Sequence, residues 1–127
     1  MFIQGENILN TTKEEIENYL TDIKNAIQNN QYRIERNSRR QDNLNLFVDY
    51  VIDEEKAKEI LLDLAVDDFS AILKNGHVGY EHERLYVFGK DVELLERVGD
   101  ANKEVSLYIK FNKLDNLQCF FLKRRMS

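Results

Sequence analysis

The residues of this 127-residue chain best suited to hold a phosphate lie in its last quarter. From Glu104 to Arg125 it reads EVSLYIKFNKLDNLQCFFLKRR, two strands joined by a short polar turn. Val105, Leu107, Ile109 and Phe111 alternate with Ser106, Tyr108 and Lys110. That period of two marks a half-buried strand. One face belongs to a core, and the other presents Tyr108 and Lys110 side by side. The second strand runs out into Lys123, Arg124 and Arg125. A phenol, an ammonium group and a basic cluster supply the donors and positive charge that a phosphate backbone needs. Each also has an ordinary structural use: Tyr108 as cover for the outer face of a sheet, the Lys-Arg-Arg run as a solubilising tail.

The elements that must position these residues read as helices first and an antiparallel sheet second, an α+β domain. Thr12-Lys13-Glu14-Glu15 is a capping box. Ile16, Tyr19, Leu20, Ile23, Ala26 and Ile27 continue it as an amphipathic helix to about Asn29, where Asn29-Asn30 ends it. Gln31 to Glu35 reads as a short edge strand. Asn37-Ser38 opens a second helix, Arg39 to about Tyr50, and Asp53 caps a third over residues 54–64, with Ala57, Ile60, Leu61 and Leu64 on one face. Asp67 or Asp68 is expected to cap a last short helix holding Phe69, Ile72 and Leu73, stopped at Asn75-Gly76. Arg84 to Phe88 is a strand, Gly89-Lys90-Asp91 a turn, and Val92 to Val98 fits either a strand or a short helix. In the final strand, Leu117, Cys119 and Phe121 are expected to face inward.

Composition bounds the classes. A hydrophobic content of 43%, no proline and five glycines suit one globular domain over 1–127, helical over about 11–75 and sheet over about 80–125. The single cysteine, Cys119, allows no internal disulfide and reads as a buried thiol. No metal-ligand cluster or glycine-rich phosphate loop is visible, so neither metal nor cofactor is expected. The sequence lacks an apolar run of ~20 residues, so no membrane span and a cytoplasmic location are expected. The net charge of −5 counts against a general nucleic-acid binder, but its distribution is uneven. Asp53 to Asp68 is strongly acidic, whereas Arg33 to Arg40 and Tyr108 to Ser127 are basic.

Several residues in their order and spacing carry a resemblance: Leu64 with Asp68-Phe69, then Leu85-Tyr86, Tyr108-Ile109-Lys110, and finally Lys123. Across most of its length the chain resembles the MqsR family of bacterial toxins, endoribonucleases of toxin–antitoxin systems with a RelE-like fold. The resemblance implies that Tyr108 and Lys123 serve an active site. The family also uses a lysine two residues after the Asp-Phe pair and a glutamine shortly before the Leu-Tyr pair. Here those positions hold Ala71 and Glu83, with Lys74 one helical turn further on as a substitute charge. Between Tyr86 and Tyr108 the chain carries additional residues.

The implied reaction is metal-independent cleavage of mRNA, free or ribosome-bound, by attack of a 2′-hydroxyl on the adjacent phosphate. It needs a base, cations on the charged phosphorane and an acid for the departing oxygen. Glu83 or Tyr108 would be the base; Lys123, with Lys110 or Arg124, would hold the phosphate. Lys74, Lys110, Arg124 and His82 would contact RNA, with His77 or His82 as the acid. Histidines in so polar a loop also occur without a role. A cognate antitoxin is the expected protein partner. The alternative is a non-catalytic protein- or RNA-binding module of the same architecture, a phage- or plasmid-derived accessory protein.

Overall fold

A computed structural model describes residues 10–35, 46–76, 78–80, 82–114 and 116–124. The Asn37-Ser38 start signal and most of the helix expected from Arg39 lie outside the described residues. Residues 46–49 are helical, and the chain turns extended at Tyr50.

Helix α1, Lys13–Gln28, opens on the capping box: the Glu15 N–H donates to Thr12 Oγ1 at 3.2 Å, and the Thr12 N–H donates to Glu15 Oε1 at 3.0 Å. Its buried stripe is Ile16, Tyr19, Leu20, Ile23 and Ile27. Asn30, at φ 60°, takes the left-handed conformation that lets the chain leave the helix. Helix α2, Glu54–Leu62, is capped by Asp53, whose Oδ1 accepts from the Lys56 N–H at 2.8 Å.

Among the described residues six strands form one sheet: β1 Tyr32–Glu35, β2 Tyr50–Val51, β3 Phe69–Lys74, β4 Arg84–Glu96, β5 Asn102–Lys113 and β6 Leu117–Lys123. Their order is β1-β6-β5-β4-β2, with β3 also paired to β4. β1 runs parallel to β6, and every other pairing is antiparallel. The domain is therefore α+β with a mixed sheet, and β1 to β3 are threaded among the helices rather than following them.

Two local expectations are corrected and one open alternative is resolved. Phe69–Lys74 is a strand, not a helix. The Asp68 signal is real, but it closes only the 3-10 turn Val66–Asp68, where Asp68 Oδ2 accepts from the Ala65 N–H at 2.8 Å. Beyond it, the short apolar run FSAIL finds a ladder on β4, with an irregularity between Phe69 and Ala71. Gly89-Lys90-Asp91 is not a turn either; it lies within the unbroken strand β4. Across the pair the ring of Tyr108 on β5 packs over Gly89, 3.5 Å from where a Cβ would stand, which is ordinary van der Waals contact. Val92–Val98 resolves as the end of β4, running to Glu96.

The helices cover one face of the sheet. There Phe88, Leu107, Ile109, Phe111, Cys119 and Phe121 are fully buried with Ile23, Ile27 and Leu61 of the helices. Phe88 meets Phe69 and Phe111 edge-on, at centroid separations of 5.7 and 5.8 Å. Tyr19 of α1 stacks flat on Tyr86 of β4 at 3.6 Å. Lys90 also points inward. Its Nζ reaches Asp63 at 3.1 Å and Asp68 at 3.6 Å, tying β4 to the ends of the connections above it. Burial disfavours the Lys90 ammonium, but its bond to Asp63 and the charges of both aspartates outweigh that cost and raise its pKa. Among the described residues no helix is long and apolar enough to cross a membrane.

Phe111→Ala should cost about 3–5 kcal/mol, because it opens a cavity beside Phe88 in the closed core. Thr12→Ala, which removes one cap, should cost about 1 kcal/mol. Urea unfolding followed by circular dichroism measures both; equal losses would contradict this placement of the core.

Candidate functional site

The face of the sheet away from the helices carries the polar chemistry. Pairing partners share a face, so the register sorts the candidates directly. On β5 the outward residues are Ser106, Tyr108, Lys110 and Asn112; they face Leu122, Phe120 and Gln118 on β6 and Asp91, Gly89, Val87 and Leu85 on β4. Lys123 pairs with the inward Leu107. It is on the helix side, its Nζ 6.0 Å from the ring centroid of Tyr50. The expected shared site of Tyr108 and Lys123 is thus corrected: they lie on opposite faces.

The cation beside Tyr108 is Arg124 instead. Its N–H donates to Ser106 O at 2.8 Å, continuing the ladder by one residue, and its guanidinium carbon sits 5.5 Å from the Tyr108 ring centroid. Tyr108, Arg124, Gly89, Asp91 and Ser70 line a groove of about 520 Å³. Ser106 Oγ donates to Asp91 Oδ1 at its edge.

A second groove, of about 670 Å³, adjoins Lys110. Its floor is Leu85, Phe120 and Asn112, and its walls include Lys74, Tyr80 and Glu83. Lys110 Nζ stands 5.9 Å from the Phe120 ring centroid. The loop between β3 and β4 closes onto this groove: the Asn75 N–H donates to Glu83 O, and the Glu83 N–H to Tyr80 O. Glu83 Oε1 accepts from Asn75 Nδ2 and from Asn112 Nδ2, each at 2.9 Å. These two bonds, Asn112 first, hold the Glu83 carboxyl below its ordinary range, and neighbouring His82 adds to the effect against a smaller opposing cost of burial. Glu83 is therefore a carboxylate near neutral pH.

Three predicted residues, Glu83, Lys74 and Lys110, meet in one groove, with His82 exposed beside it. Tyr108 and Arg124 meet in the other. Ala71, where the family pattern has lysine, is buried on the outer face opposite Val87; Lys74 borders the groove at the end of β3, where its pairing with Arg84 gives it the parity of the helix face. His77, Arg125, Arg36, Arg39 and Arg40 lie outside the described residues. Asn75, Asn112 and Gln118 were missed. Asn112 had one signal: it continues the outward row of Ser106, Tyr108 and Lys110. Asn75 had none, because its role depends on a partner on another strand. No protein-family model, curated protein or solved structure matches this chain.

Cys119 takes no part in either groove. It is fully buried on the helix side, and burial, with smaller contributions from Glu35 and Glu54, pushes its thiol up to about 12. The folded protein should resist an aromatic disulfide reagent near neutral pH and react with one thiol equivalent only after denaturation. Fast reaction in the native state would contradict the placement of Cys119 against the helices.

Proposed function

We propose that this chain is an endoribonuclease toxin of the MqsR kind, RelE-like in fold, that works on RNA laid across the open face of its sheet. The observation that carries the reading is the convergence of Glu83, Lys74 and Lys110 in one groove that the helices leave uncovered. The sequence resemblance supports it, with Arg124 taking the place beside Tyr108 that the family pattern gives to Lys123.

In this reading Glu83 accepts the proton of a 2′-hydroxyl, whose oxygen attacks the adjacent phosphorus. Lys110 stabilises the phosphorane, the bond to the 5′ oxygen breaks, and that oxygen takes a proton from His82. The products are a 2′,3′-cyclic phosphate and a free 5′-hydroxyl. Tyr108 and Arg124 stand further along β5, too far to share the same phosphate with Glu83. Residues 108 and 112 are about 14 Å apart along a strand. They hold a flanking part of the RNA by stacking and charge.

A second reading, a non-catalytic binding module, is favoured by two observations. Tyr108 and Lys123 do not share a face, and two donors lower the proton affinity of Glu83. Both readings use the same surface, so they separate on chemistry rather than binding.

Expressed in a bacterial host without an antitoxin, the wild type should arrest growth and deplete full-length mRNA. Purified, it should cleave single-stranded RNA in the presence of a chelator. Lys110→Ala should slow cleavage about 10²–10³-fold, the usual cost of losing one charge-stabilising contact. Lys123→Ala should leave the rate unchanged. Glu83→Gln should bind RNA but not cleave it, because the glutamine carbonyl still accepts from Asn75 and Asn112 while the base is gone. Binding without cleavage by the wild type would establish the module; neither binding nor arrest would end both readings.

A further inference from the structure

We infer that Asn75 and Asn112 are positioning residues that clamp one oxygen of Glu83 and turn the other toward the groove, and that Gln118 and Glu35 orient this clamp from the β1 edge of the same face. The inference deepens the proposed function, since it concerns the group read there as the base.

The geometry is specific. Both amide donors reach the same atom, Oε1, at 2.9 Å. Among the described residues, no other side chain bonds to this carboxylate. Asn112 is the one buried amide or charged side chain among the described residues, and asparagine is a poor strand former. A buried residue that contradicts local preference within a strand flanked on both sides marks a place where another requirement wins. Here the neighbours of Asn112 on the outer face include Leu85 and Phe120, so an apolar side chain would suit the floor equally well.

The orientation of Asn112 is not left to chance. An amide has one donor end and one acceptor end, while a carboxylate only accepts. Glu35 Oε2 on β1 accepts from Gln118 Nε2 at 3.1 Å, which turns the Gln118 carbonyl toward β5. Gln118 Oε1 then accepts from Asn112 Nδ2 at 3.3 Å, and the same NH₂ group donates to Glu83. Arg33 in turn bonds to Glu35 Oε2 at the sheet edge. The row runs from carboxylate to carboxylate through two amides, and the acceptor at each end forces the sense of both.

The donors on Glu83 are also neutral. A lysine or arginine partner would bind the carboxylate and cancel its charge. Amides fix its direction and favour its ionised form while leaving the negative charge in place to take a proton. The other charged groups around Glu83 are His82 beside it, Lys74 and Lys110 at the groove, Arg84, whose Nη1 donates to Glu83 O at 3.3 Å, and Glu35 on β1, three strands from β4.

Removing a donor weakens the ionised form, so the proton affinity of Glu83 must rise. The test is a carbon-detected NMR titration of the Glu83 carboxyl in the full chain without RNA, for wild type, Asn112→Ala, Asn75→Ala and Gln118→Leu. In the wild type Glu83 should titrate below the ordinary glutamate value of about 4.3. Each asparagine variant should move it upward, and Gln118→Leu should move it less. Asn75→Ala, in a loop, gives the answer if Asn112→Ala fails to fold. Where the wild type cleaves RNA, the acidic limb of its pH–rate profile should move upward with the titration. An unchanged Glu83 midpoint in both asparagine variants would overturn the clamp, whatever the RNA assay shows. A shifted midpoint in a protein that leaves RNA intact would keep the clamp and remove only the nuclease reading.

Discussion

Strand β5 is the constraint on which the other elements depend. It pairs with β4 from Leu85↔Asn112 to Leu95↔Asn102, and with β6 from Leu107↔Lys123 to Lys113↔Leu117. Side chains alternate along a strand and partners share a face, so this double pairing assigns three strands at once. Leu107, Ile109 and Phe111 form the floor on which the helices pack. Ser106, Tyr108, Lys110 and Asn112 become the polar row of the open face. A slip of one residue would drive Tyr108 and Lys110 into the core and expose Phe111. The buried row therefore holds the outward row in register, linking core packing directly to the candidate site.

The same sorting gives two lysines opposite uses. Lys90 on β4 faces inward and binds Asp63 and Asp68, so it anchors the sheet to the connections above it. Lys110 on β5 faces outward over Phe120 and borders the groove of Glu83. The groups between Glu83 and the edge of the sheet are amides rather than charges, and this keeps a carboxylate ionised without neutralising it. The Tyr108 ring packs over Gly89 of β4, and the Arg124 guanidinium lies over that ring.

Much of the fold was legible in the sequence because its signals are local. The Thr12–Glu15 box and the Asp53 cap start the helices that they announce, since each needs only side chains within one turn. The alternation in β5 and β6 named the buried sets correctly. It also held an answer that the family pattern obscured: if Leu117, Cys119 and Phe121 face inward, Lys123 must follow them. By the same parity Arg124 turns toward Tyr108.

What the sequence determined by itself is thus the Thr12 and Asp53 caps and the period and buried side of β5 and β6. Only the tertiary structure decided the rest. Phe69–Lys74 has the length and caps of a short helix, but β4 offers it a ladder of hydrogen bonds, and the strand wins. Gly89-Lys90-Asp91 reads as a turn, but β5 pairs with β4 straight through it, from Phe88↔Ile109 to Val92↔Val105. The clamp on Glu83 joins Asn75, Asn112, Gln118 and Glu35 from four places in the sequence. No spacing rule connects them, because a hydrogen bond between strands depends on register, and register is set by the whole core.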